Sequence, residues 1–210
     1  MRGLYVLKNW FTRLLNPLVL FAVQCKISPN VFTLLGVLGG ALAGYGVATT
    51  NTWLVLLGVV VRLAGANLDG AVARATRDGA VARAADSETR IGFWVNEAGD
   101  RLADWAIFAG LLFMPIAIDF NVWITVMVAV ALPTAVSLWG VRQGGAPSGA
   151  ARINGGPFGK TERCLFAVVF VALCQFGHLD ATQAFYLLQG LIWASLITAM
   201  LRWQRIRASK

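Results

Sequence analysis

The sequence predicts an all-α, polytopic membrane protein: six transmembrane helices behind an N-terminal interfacial amphipathic helix. Three observations predict it. Of 210 residues, 58% are hydrophobic and 13% charged, with mean hydropathy +0.67, whereas a soluble domain carries roughly 25% charged residues. Apolar runs recur along the chain, each close to the ~20 residues a helix needs to cross a bilayer. Finally, the connections at 49–51, 118–120 and 177–183 contain no Lys or Arg, while 1–28, 75–90, 142–159 and 202–210 hold most of the 18 basic residues. The positive-inside rule then places both termini in the cytoplasm. The net charge of +8 belongs to that face and suits anionic headgroups; no nucleic-acid module is present.

The expected organisation is one membrane domain, 1–210, with an interfacial segment at 1–28, a core at 29–201 and a cytoplasmic tail at 202–210. Over 4–15, Leu4, Leu7, Trp10, Phe11, Leu14 and Leu15 share one face and Lys8, Asn9 and Arg13 lie elsewhere, the pattern of a helix lying in the interface. The N-terminus lacks a small-residue cleavage site and is expected to be retained. Spanning helices are expected at about 29–48, 52–74, 91–117, 121–141, 160–176 and 184–201. In the first, Gly36, Gly40 and Gly44 form a strip that permits close helix approach. Pro133 should bend the fourth, its freed carbonyl satisfied by neighbours. Cys25, Cys164 and Cys174 match neither a zinc site nor a redox pair and read as packed thiols. Arg202, Arg205, Arg207 and Lys210 read as orientation signals.

Carboxylates are costly inside a bilayer and usually functional there. Asp69 lies 17 residues after Thr52 and Asp100 lies 17 before Ala117. At 1.5 Å per residue both sit about 25 Å from the outer edge, on helices joined by a short connection and so expected to be antiparallel neighbours. On the second of these helices Asn96, Asp100 and Asp104 are spaced by four, and Glu97 falls within the same arc. Clustered acids repel one another and stay ionised together only beside cations. Oxygen ligands without nearby His or Cys favour a hard ion, Mg2+ or Mn2+, at Asp69, Asn96, Glu97, Asp100 and Asp104. Pairing with Arg62, Arg74 and Arg101 is the competing reading.

The stretch from Asp69 to Asp104 resembles the signature of the CDP-alcohol phosphotransferase family, D-x-x-D-G-x-x-A-R, eight residues, then G-x-x-x-D-x-x-x-D. Asp69-Gly70, Ala73-Arg74, Gly92, Asn96 and Asp100 carry the match. Ser28-Pro29-Asn30 with Thr33 and Gly36, and Gly159-Lys160, resemble further family features. The resemblance implies a six-helix membrane fold and transfer of a substituted phosphate from a CDP-linked lipid, such as CDP-diacylglycerol, to an alcohol, with release of CMP. It implies divalent ions at the phosphates and a carboxylate base that takes the hydroxyl proton. Gly70, Ala73, Arg74, Gly92 and Lys160 become substrate-binding candidates; Lys160 is equally explained by topology. The resemblance also implies dimers, which the small-residue helices permit.

The match departs in two places. Family acids fall at Ala66 and Asn96; Glu97 and Asp104 restore the count. Depending on register the base is Asp100 or Asp104. Second, DGAVARATR at 69–77 is followed by DGAVARAAD at 78–86. On a continuous helix nine residues turn the chain by about 900° and advance it about 13 Å. The copies therefore cannot share one site without a break. Depth favours Asp69; the eight-residue gap from Arg83 to Gly92 favours Asp78, Gly79 and Arg83. A phosphotransferase of the cell membrane, expected to be a bacterial inner membrane, is the leading expectation. A catalytically degenerate binding or assembly protein is the alternative, and a transporter a distant third. Arg142, Arg152, Lys160 and Arg163 would suit a phosphorylated acceptor, though topology alone puts basic residues there.

Overall fold

A computed structural model of the chain describes residues 13–80, 90–143 and 156–208; the side chains of 77–80, 90–93 and 141–143 lie outside that description. So do the amphipathic stretch 4–12, Arg83, Arg152 and the second repeat copy from residue 81 onward. The described residues form seven α-helices and no strand: α1 (Asn16–Gln24), α2 (Pro29–Ala48), α3 (Thr52–Ala80), α4 (Arg90–Ala109), α5 (Phe120–Gln143), α6 (Lys160–Gln175) and α7 (Ala181–Ala208).

Capping chemistry sets the helix starts. Asn51 Oδ1 accepts the N–H groups of Trp53 and Leu54, both at 3.1 Å, opening α3. Asp119 Oδ1 does the same for Asn121 and Val122 at 2.8 and 3.3 Å, opening α5. Asp180 and Gln183 exchange N–H to side-chain bonds at 2.7 and 3.1 Å, a capping box at α7. These three caps occupy the three connections without Lys or Arg. Ser28 and Pro29 open α2. At the far end of α6, Gly177 has φ +71°, and the Gly177 and His178 N–H groups reach the Cys174 and Leu173 carbonyls at 3.2 and 2.9 Å. This left-handed turn closes the helix, and glycine adopts it without strain.

Among the described residues, four helices are long and apolar enough to cross a membrane: Pro29–Ala48, Thr52–Thr76, Phe120–Gly140 and Ala181–Ala208. Of the other two expected spans, α4 carries too many charged residues, and α6 has 16 residues, about 24 Å against a ~30 Å hydrocarbon core. The third expected span, 91–117, is corrected. Its α-helix ends at Ala109, a 3-10 turn follows over Gly110–Phe113, and Met114 is extended at φ −66°, ψ 147°. Pro115 causes this, because the residue before proline is pushed out of the helical region. α7 continues through the expected tail as far as Ala208, since an arginine-rich turn is as helical as an apolar one.

The expectation that α3 and α4 pack directly on each other is revised. α2 lies between them, antiparallel to α3 and parallel to α4. Gly40 sits on Ala103, where a Cβ would come 2.6 Å from the Ala103 Cα and 2.7 Å from its carbonyl oxygen. Contact this close is how apolar helices associate where lipid gives no hydrophobic drive between them. One turn earlier on α2, Gly36 faces the Arg62 carbonyl and Ala66 N–H of α3. One core joins Val47, Val55, Ile107, Val126, Phe170 and Leu188 across α2 to α7; a second, of Val19, Ala22, Phe32, Leu68 and Val72, seats α1 beneath α3. Leu34, Leu38, Leu57, Val128, Trp193 and Met200 are exposed outward, the apolar surface a bilayer covers. The chain is a membrane protein.

Candidate functional site

Thr33, Gly36, Arg62, Ala66, Asp69, Gly99 and Asp100 line a narrow cleft where α2, α3 and α4 converge. Asp69 and Asp100 thus meet across one cavity. Asp69 is 4% exposed. Its Oδ2 accepts from the Thr33 hydroxyl at 3.3 Å and its Oδ1 accepts from the Gly70 N–H. Among the described residues it makes no ion pair.

The other three acids are paired. Arg62, 1% exposed, donates from Nη1 to Asp100 Oδ1 at 3.0 Å and from Nη2 to Asp104 Oδ1 at 2.8 Å and the Asp100 carbonyl at 3.1 Å. Lys160 Nζ meets both Asp100 oxygens at 2.9 and 2.7 Å. Arg163 Nη2 holds Asp104 Oδ2 at 2.6 Å. Arg101 pairs with Glu97 Oε1 at 2.9 Å, lies 3.8 Å from Asp100 Oδ2, and donates to the Thr134 hydroxyl. Buried charges persist only when paired and hydrogen-bonded in this way. Among the described residues, Arg62 Nε and Arg163 Nε and Nη1 are buried without a partner.

The site residues read from the sequence fall as follows. Asp69, Glu97, Asp100 and Asp104 are brought together, with Lys160 on Asp100. Gly70 is half-buried under Arg74, whose Nη1 would lie 3.2 Å from a Cβ there. Ala73 is half-buried and Arg74 exposed. Asn96 is half-buried, one turn before Asp100, with no side-chain hydrogen bond among the described residues. Asn67 bonds back to the Leu63 carbonyl at 2.6 Å, while Ala66 presents its methyl to the cleft. Gly92, Asp78 and Gly79 lie in helical backbone without described side chains, and Arg83 is outside the described residues. α3 runs unbroken through Ala80, so Asp78 is half a turn and about 13 Å from Asp69. Arg74 does not join the acids, but Arg62 and Arg101 do.

Two arginines carry more than the sequence reading gave them. Arg163 is a buried counter-charge on α6, three residues after Lys160 and on its face. Arg202 is corrected from an orientation signal: it is 8% exposed, and its Nη1 donates to the Pro133 carbonyl at 2.8 Å and the Ser137 hydroxyl at 3.0 Å. It thereby ties α7 to the proline-bearing turn of α5. The available sign for Arg62 was an arginine inside an apolar run, seven residues and two turns before Asp69.

Whether divalent ions fit this donor set is decided by the free oxygens. Among the described residues no three acidic, His or Cys side chains are grouped to hold an ion, because Glu97, Asp100 and Asp104 point onto cations. Asp69 makes no ion pair among the described residues, so one ion would sit there with most of its shell supplied by ligand oxygens, since Lys160 already meets both Asp100 oxygens.

No family model matches the chain. It is 28% identical over 170 residues to the inner membrane protein YnbA of Escherichia coli K12, covering 77% of this chain and 75% of that protein. Its fold is that of the Mycobacterium tuberculosis phosphatidylinositol phosphate synthase PgsA1. With CDP-DAG bound, that structure superposes with TM-score 0.68 at 21% identity, covering 92% of this chain and 94% of the synthase. The same synthase with manganese and citrate gives TM-score 0.63 at 20% identity, covering 90% and 87%. The resemblance to the CDP-alcohol phosphotransferases therefore holds at the level of fold.

Proposed function

We propose that the chain is an integral membrane phosphotransferase that moves a phosphatidyl group from a CDP-linked lipid, such as CDP-diacylglycerol, to an alcohol. The observation that carries this reading is the cleft. Two acids from antiparallel helices, Asp69 and Asp100, face each other there with Lys160 at hand, in a fold shared with a synthase captured with CDP-DAG. In the reaction the acceptor hydroxyl oxygen attacks the lipid-bearing phosphorus, the bond to the bridging diphosphate oxygen breaks, and CMP leaves with that oxygen. The hydroxyl proton passes to a carboxylate. Asp100 suits the base role better than Asp104, because it lines the cleft and Asp104 does not; cations hold both oxygens of each.

Lys160 and Arg62 supply positive charge where the diphosphate would lie; Gly70 lets a nucleotide approach the α3 backbone. Asp69, Asn96 and Asp100 would hold a divalent cation, which when bound neutralises phosphate oxygens. The cell membrane, with both termini cytoplasmic, is the proposed setting.

A second reading, a relative that binds donor without turning it over, is favoured by one observation: Ala66 and Asn96 stand where acids are expected, and three of the remaining acids are ion-paired. Purified protein in nanodiscs with labelled CDP-diacylglycerol and a panel of alcohols, with and without Mg2+ or Mn2+, separates the two. The expected result is alcohol-dependent CMP release that Asp69→Ala abolishes and Asp78→Ala retains. Binding of the donor without CMP release under any condition selects the second reading. Activity lost only in Asp78→Ala moves the site to the other repeat copy.

A further inference from the structure

Four carboxylates carry four negative charges, and a divalent cation supplies two positive ones. A bare set of four inside a membrane would need two such ions to reach neutrality. Here the balance is met by side chains. Glu97, Asp100 and Asp104 are ion-paired by Arg62, Arg101, Lys160 and Arg163, while Asp69 makes no ion pair among the described residues.

Arg62 holds the central place. Asp100 and Asp104 are one helical turn apart, and the guanidinium spans one oxygen of each, at 3.0 and 2.8 Å. A divalent cation bridging two carboxylates one turn apart would occupy that same space. Arginine does not deprotonate to make way for one. Its backbone is packed closely on α2: a Cβ on Gly39 would come 2.5 Å from the Arg62 nitrogen. On the same stretch of α3, Ala66 offers the cleft a methyl, so no additional acid offsets a second ion.

We propose that Arg62 is a built-in cation standing in for a divalent ion between Asp100 and Asp104, so that the site takes no more than one divalent ion, at Asp69, and forms no two-ion cluster. This deepens the phosphotransferase reading, but its test does not need turnover. Mn2+ is titrated into the purified full chain in nanodiscs and counted by electron paramagnetic resonance, with and without saturating CDP-diacylglycerol. The expected wild-type result is at most one Mn2+ per protomer and no spin-exchange signal from a close pair. Arg62→Met, verified as monodisperse, should gain a second ion and the pair signal, whereas Arg62→Lys keeps the wild-type count. Two coupled ions in the wild type overturn the assignment, as does an unchanged count in folded Arg62→Met. If Arg62→Met does not fold, the wild-type count decides alone. A count of one without CMP release removes the functional reading and leaves this one; CMP release with two coupled ions does the reverse.

Discussion

Asp104 accepts hydrogen bonds from two buried arginines, and it is the ion-pair partner that holds Arg163. Replacing it leaves a buried guanidinium facing a neutral amide. Asp104→Asn is therefore expected to destabilise the folded protein by about 3–5 kcal/mol, the range for breaking a buried pair by removing one partner. Asp69→Asn, which breaks no ion pair, should leave thermal stability near wild type. Melting of both variants in nanodiscs checks this, and equal losses would show that the network is not what distinguishes the two acids. Which acids cluster was legible in the sequence, because spacings of three and four put Glu97, Asp100 and Asp104 on one arc. Which cation meets which acid was not: Arg62 and Asp104 are 42 residues apart and Lys160 and Asp100 are 60 apart. Helical period assigns a face and says nothing of what packs against it.

At the scale of the helix, α2 sets the spacing of the site, because it separates α3 from α4 and touches both through glycines. Gly40→Ala places a methyl 2.6 Å from the Ala103 Cα, closer than atoms tolerate. The expected cost is about 1–3 kcal/mol, read as a lowered melting temperature. Gly190→Ala, where a Cβ meets nothing within 4 Å, is the control. The glycine strip was visible at four-residue spacing, yet its position between two helices was not, since hydropathy does not distinguish burial against protein from burial against lipid. The end of α4 was legible and missed. The run from Gly110 to Ala117 stays apolar, so hydropathy carried the helix through it, while Pro115 already marked the break.

For the whole molecule, the all-helical membrane fold followed from composition and from the length of the apolar runs. The span count is where that reasoning weakened, because α4 carries the site's charges and so fails the apolarity that marks a span. Topology remains readable from the loops. A reporter phosphatase active only outside the cytoplasm, fused after Thr50 or His178, should be active, and a green fluorescent protein after Lys210 should fluoresce. The opposite pattern would reverse the orientation and place the cleft on the other side of the membrane.

The ion-pair network has a consequence beyond chemistry. Helices in lipid gain nothing from burying leucine against leucine, so Arg62 on α3, Asp100 and Asp104 on α4, and Lys160 and Arg163 on α6 act as the fastener of three helices. A descendant of this chain that abandoned turnover would be obliged to keep these five residues in order to assemble. Their presence is thus a poor gauge of activity. Asp69, which joins no ion pair and bonds across helices only to the Thr33 hydroxyl, is the acid such a descendant is freer to discard, and its identity is the better diagnostic.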